Sequence, residues 1–242
     1  SLEVADSVVR LDRQLAKFFR WLDQKFAARY TVAITSDHGV QSIPEVAKDM
    51  GREAGRVSVK NALAPNRAAI EKAVAAELNI PTGNPVILYF EEPAFYLDWG
   101  RIRQLGLDGE RVKRAVRDAA MHIEGVRAAF TNTELLAVNK DATGVELAMR
   151  LSFRADRSGD VLIALKPGYI WNYNDTGTTH GQAIEDDQHV PLLLFGHAIA
   201  SGTFDDAVAP TFLAKSLGAL LGVDAGGSDT AVLPCIRATI AK

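Results

Sequence analysis

TVAITSDHGVQSIPE, residues 31–45, runs from an apolar segment into a cluster of polar residues closed by a glycine. Residues 31–35 carry no charge and do not alternate apolar with polar, the pattern of a strand covered on both faces, as in a mostly parallel sheet. The run stops at Ser36, Asp37, His38 and Gly39. In open α/β sheets ligands bind beyond the carboxyl ends of the strands, so Asp37 and His38 lie where chemistry is expected. Aspartate offers a hard oxygen and histidine a borderline nitrogen, a pair that zinc and similar divalent ions accept in mixed sites. A turn at Gly39 lets both side chains converge on one ion. The plainer alternative is a loop in which Asp37 caps a following turn and His38 has no task.

Upstream of this strand, Val4, Val8, Leu11, Leu15, Phe18, Leu22 and Phe26 recur in steps of three and four, which predicts an amphipathic helix over 2–28. Further strands are expected over 86–90, 95–99, 145–153, 161–165 and 190–195. The last contains PLLLFG, an apolar run of the buried type. Further helices are expected over 66–78, 108–123 and 210–221. Around 84–154 the order strand, strand, helix, strand differs from the flanking strands that run into polar loops. It divides the chain into a core of 1–41 and 159–242 and an inserted α+β cap of 42–158. GNP, PTG and RSGD are ordinary turn punctuation.

The 242 residues suffice for one large α/β domain or a core with an insertion. A hydrophobic share of 48% and a charged share of 24% fit a soluble globular chain. The formal charge of -3 lacks the basic field of a nucleic-acid binder, and no apolar run is long enough to span a bilayer. Cys235, a single cysteine, can form neither an intrachain disulfide nor a thiolate zinc cluster.

A second polar stretch, GTTHGQAIEDDQHVPLLLFG at 177–196, repeats the arrangement of the first: His180 and Gly181 lie shortly before an apolar strand. TSDHG, then GTTHGQ, the DD and VPLLLFG segments, and VAPTFLAKSLGALLGV together resemble the C-terminal portion of the alkaline phosphatase superfamily. The likeness is strongest to bacterial alkaline phosphatases that group with the type I phosphodiesterase/nucleotide pyrophosphatase enzymes. RSGDVLIALKPGY, 157–169, is similar to the stretch those phosphatases carry before the second histidine.

The resemblance implies an alkaline-phosphatase-like α/β/α sandwich and a phosphate-ester hydrolase with two zinc ions. Asp37 and His38 would ligate one ion and His180 the other. Two ions roughly 4 Å apart clamp the attacking and leaving oxygens of an in-line displacement. It also implies an N-terminal aspartate, a threonine or serine nucleophile that becomes phosphorylated, and an Asp-x-x-x-His pair, all upstream. In relatives that pair precedes a helix much like SLEVADSVVRLD, so Ser1 is expected to follow a break in a longer enzyme. This chain would then hold half of the zinc ligand set and no nucleophile, and would be nearly inactive alone.

The expected partners are a small phosphate ester and the N-terminal portion of the same enzyme, with no nucleic acid and no membrane span. The expected location is the periplasm or the exterior. The alternatives are a phosphodiesterase of the same superfamily, or a non-catalytic metal-binding domain if the native chain starts at Ser1. Sulfatases carry a lysine near the second Gly-His step, and phosphoglycerate mutases an asparagine after DHG; here GTTHGQAIEDD has no lysine and Val40 follows Gly39.

His122, His189 and His197 are set aside as surface or boundary residues. Asp186 and Asp187 could order the second loop by hydrogen bonds to a ligand histidine. Lys166 and Tyr169 could shape an entrance. Thr178 and Thr179 precede His180 but do not match the family's nucleophile, and Trp99 and Trp171 are assigned to packing.

Overall fold

The computed structural model describes residues 2–27, 29–60, 64–172, 175–226 and 231–236. Ser1, the expected chain break, and Ala28, near the expected helix end, lie outside the described residues. In chain order the elements are α1 (Leu2–Phe26), β1 (Thr31–Thr35), α2 (Pro44–Asp49), β2 (Gly55–Val57), α3 (Pro65–Leu78), β3 (Ile87–Glu91), β4 (Ala94–Leu97), α4 (Trp99–Gln104) and α5 (Gly109–Ala120). There follow β5 (Val126–Thr131), α6 (Asn132–Leu136), α7 (Gly144–Ser152), β6 (Val161–Leu165), β7 (Tyr169–Trp171), α8 (Glu185–Gln188), β8 (Leu192–Gly196) and α9 (Phe212–Leu221). Two compact units result, one of residues 1–37 and 190–242, the other of residues 38–189. Within the second unit, β6 pairs with both β4 and β5.

The 38–189 unit is built on a four-stranded sheet in the order β3-β4-β6-β5, with every pairing antiparallel. β6, VLIAL, is buried at all five positions because helices cover both faces. On one face lies α5, whose Val112, Ala115, Val116, Ala119 and Ala120 recur at helical spacing and are buried. Asp108 starts that helix by accepting the Arg111 amide at 2.6 Å. α3 adds Ile70, Val74 and Leu78 to the same core, with Phe95 and Trp171 among its largest fully buried side chains. On the other face, Met149 of α7 packs with Leu135 and Leu162. β2 and β7 form a separate parallel pair in which Gly55 faces Tyr169.

Two expectations are corrected. Of the strand expected over 145–153, residues 145–152 lie in α7 and Phe153 caps it. VELAMRLSF is apolar at every second position, yet Val145, Met149 and Phe153 also share one helical face, and that face meets the core. Leu147 and Leu151, which a strand would have turned inward with them, stay 41% and 79% exposed. An Arg150–Glu146 ion pair at 2.7 Å spans one helical turn. The mostly parallel sheet is also not found: among the described residues the largest sheet is antiparallel, and so is the β1–β8 pair. Apolar continuity reports that a strand is covered, not which way its neighbour runs.

In the other unit, β1 and β8 pair from Thr31 opposite Gly196 to Thr35 opposite Leu192. No residue of either strand is fully buried. α1 meets β8 through an edge-on contact of Phe19 with Phe195, ring centroids 4.8 Å apart. Tyr30 Oη donates to Asp23 at 2.7 Å and ties the helix end to the start of β1. None of the 25 residues of α1 is buried. In α9, the buried Ser216 hydroxyl donates to the Phe212 carbonyl and accepts the Leu233 amide at 2.8 Å.

Candidate active site

His38 and His180, distant in sequence, stand face to face with ring centroids 3.4 Å apart and planes 12° from parallel. Four hydrogen bonds to main-chain groups hold their loops. The Gly39 amide donates to the Asp187 carbonyl at 2.8 Å. The Thr178 hydroxyl donates to the Gln41 carbonyl at 2.7 Å. The Gln41 side chain, 2% exposed, accepts the Gly168 amide at 2.8 Å and donates to the Tyr169 carbonyl at 3.1 Å. Gly39 is required by this approach, since a Cβ there would lie 2.0 Å from the Asp186 carbonyl oxygen. The glycine after the histidine thus admits the backbone of the second loop.

Arg56 on β2 holds the start of the second loop. Its Nη2 donates to the Gly177 carbonyl at 2.7 Å, and its guanidinium grips Glu45 through two bonds of 2.8 Å. The hydrogen bonds from Arg56 bring the Glu45 carboxyl down to about 2, and Glu45 in turn raises the Arg56 guanidinium above its ordinary value. Tyr169 is pushed up to about 12, first by burial and then by its hydroxyl donating to Glu124 at 3.1 Å. It also donates to Glu53 at 3.3 Å, so it braces the sheet end rather than lining an entrance. Lys166 pairs with the same Glu53 at 3.3 Å.

The residues predicted from sequence divide as follows. His38 and His180 come together. Asp37 is exposed, ends the first segment of its unit, and accepts a long hydrogen bond of 3.4 Å from the Ser36 hydroxyl. Asp187 is buried and Asp186 exposed, and the Asp187 carboxylate accepts from the Gln182 amide rather than from a histidine. Thr178, spent on a backbone carbonyl, is a strut of the loop. His122, His189 and His197 are exposed. Gln41 and Arg56 were missed: neither lies in a recognisable motif, and only the fold shows which carbonyls they reach.

The donor chemistry suits a borderline divalent ion. His38 Nδ1 lies 2.7 Å from the Gly39 carbonyl, and since a carbonyl only accepts, Nδ1 carries a proton, which in the neutral imidazole leaves the lone pair on Nε2. A histidine fixed through one nitrogen by a carbonyl is the usual form of a metal ligand. Among the described residues no group of three His, Cys, Asp or Glu side chains closes a metal cage. The two imidazoles are of a donor type that zinc accepts.

The fold is that of an alkaline-phosphatase-like α/β protein. A solved structure of wild-type alkaline phosphatase PafA superposes with a TM-score of 0.81 at 24% identity, covering 98% of this chain and 44% of that one. The type I phosphodiesterase/nucleotide pyrophosphatase family matches residues 1–188, and the chain belongs to that family. It is 27% identical over 238 residues to alkaline phosphatase PafA of Elizabethkingia meningoseptica, across 92% of this chain and 39% of that protein. It is 29% identical over 202 residues to alkaline phosphatase PhoD of Zymomonas mobilis, across 80% of this chain and 34% of that protein. The chain therefore spans well under half the length of these relatives.

Proposed function

We propose that this chain is the C-terminal portion of a zinc-dependent phosphate-ester hydrolase of the alkaline phosphatase type, acting through a phosphorylated threonine or serine upstream. The carrying observation is the juxtaposition of His38 and His180 on two loops that are hydrogen-bonded to each other. Asp37 and His38 are assigned to one zinc ion and His180 to the other. Zinc held there would neutralise charge on the phosphoryl oxygens and stabilise both the entering and the departing oxygen. The chain's own residues set the geometry: Gly39 lets the loops approach, Gln41 and Thr178 fix their spacing, and Arg56 anchors Gly177.

The nucleophile and the remaining ligands are assigned to an N-terminal portion of the same enzyme. Hydrolysis of phosphate monoesters can require accelerations on the order of 10²¹-fold, so a partial ligand set without a nucleophile should not turn over. The apolar stripe of α1 supports the pairing with further polypeptide. Leu2, Val4, Val8, Leu11, Phe18 and Trp21 stand exposed along one long helix, a surface of the kind a partner segment covers. By likeness to its family the enzyme is assigned to the periplasm or the exterior. Among the described residues no helix is long and apolar enough to cross a membrane.

The phosphodiesterase reading is favoured by the name of the matching family, the phosphomonoesterase reading by the names of the relatives. Zinc titration of the chain and of H38A and H180A tests the site. Each variant should lose affinity, and equal binding by all three would overturn the assignment. Rates on p-nitrophenyl phosphate and bis-p-nitrophenyl phosphate, measured on the longer enzyme, separate the two activities. The chain alone should hydrolyse neither above background.

A further inference from the structure

The assignment of His38 and His180 to metal leaves one buried carboxylate without a task. Asp187 is 5% exposed. Its Oδ2 accepts the Gln182 amide at 2.7 Å, and its main-chain oxygen accepts the Gly39 amide at 2.8 Å. Its Oδ1 has no hydrogen-bond partner among the described residues. Gly39 directly follows His38, and Gln182 lies two residues after His180, so a single residue holds both histidine loops.

The loop connection alone does not need a carboxylate. An asparagine would accept from the Gln182 amide through its own Oδ1 and keep the same main-chain bond, without burying charge. A buried carboxylate oxygen that meets no donor is costly, and a positive charge held nearby offsets that cost. The Asp187 carboxylate is engaged by the Gln182 amide, so it is assigned to act behind the two histidines and not as a ligand.

We propose that Asp187 is a positioning residue that fixes the two histidine loops in one register and whose buried negative charge favours a divalent cation held by His38 and His180. This rests on the metal reading of the two histidines, and the experiment separates the two claims. Zinc affinity of the chain, of Asp187→Asn, Asp187→Ala, H38A and H180A is measured by competition with a chromophoric chelator, alongside thermal melting.

Asp187→Asn should bind zinc about 10- to 100-fold more weakly, the usual effect of losing a residue that acts behind a metal ligand. Its melting temperature should stay level or rise, because a half-satisfied buried charge has gone. Asp187→Ala should lower both. Unchanged zinc affinity in Asp187→Asn, with H38A and H180A impaired, would overturn the role of Asp187 and leave the metal reading intact. If H38A and H180A bind zinc normally, the metal reading fails. The imidazole NMR signals of the metal-free chain then decide: signals of both histidines displaced in Asp187→Asn at unchanged melting temperature retain the positioning role, and unmoved signals overturn it.

Discussion

The two compact units carry equally clear helical patterns and make opposite use of them. α5 in the 38–189 unit buries Val112, Val116 and Ala120 completely, whereas α1 in the other unit buries nothing although its apolar stripe is longer. Periodicity creates an apolar face in both. Burial follows only where other elements close over that face, as β6 and α3 do for α5. The contrast teaches that an amphipathic helix announces a need for a partner and not where the partner is.

The sharpest way to break this contrast is to remove an aromatic ring from each unit. Phe95, fully buried and 5.0 Å from Phe90 by ring centroid, should cost about 3–5 kcal/mol as Phe95→Ala in urea unfolding. Phe18, 49% exposed on α1, should change stability by no more than about 0.5 kcal/mol as Phe18→Ala. Equal losses would show that the helix is covered in solution.

Gly39→Ala comes next, with an expected loss of about 1–3 kcal/mol, because its Cβ must displace the Asp186 carbonyl. The cross-peaks between the two imidazole rings should disappear from its NMR spectrum, and their survival would refute the close-approach account. Thr178→Val, which removes one hydroxyl bond to Gln41, should cost about 1 kcal/mol. A loss several times larger would mean that the loop rests on this one bond.

The smallest effects are those of pH. Glu45 has its folded value lowered from 4.5 to about 2, so the stabilisation from its pair with Arg56 is complete above 4.5 and lost as the pH falls toward 2. In Glu45→Gln that part of the acid limb should flatten in urea titrations. Tyr169 is raised from 10.0 to about 12, so its contribution is complete below 10 and lost as the pH rises toward 12. Tyr169→Phe should remove this alkaline dependence. Glu45 is exposed, so salt should erode its contribution further.

Much of the fold could be read directly. The spans of α1, α3, α5, α9, β3, β6 and β8 follow from apolar spacing and turn residues to within three residues at either end. The short elements β2, β7, α2 and α8 escaped, since three to six residues carry too little periodicity to stand out from loop. β5, VRAAFT, escaped for another reason: α7 offered a cleaner two-residue alternation and took its place as the expected strand. The histidines of the site were visible because each precedes a glycine beside an apolar strand. Gln41, Arg56 and the distinction between Asp186 and Asp187 were not, because hydrogen bonds to distant carbonyls and amides leave no mark on local composition.

By itself, the amino-acid sequence determined the apolar faces, most of the long helices and strands, and the two histidine-glycine steps. These depend on side chains within a few residues of one another. The tertiary structure alone decided the direction of the strands, the helical state of 145–152, and the meeting of His38 with His180. Each of those is a choice among conformations that local preference leaves nearly equal in energy, and packing and hydrogen bonds between distant segments select one of them.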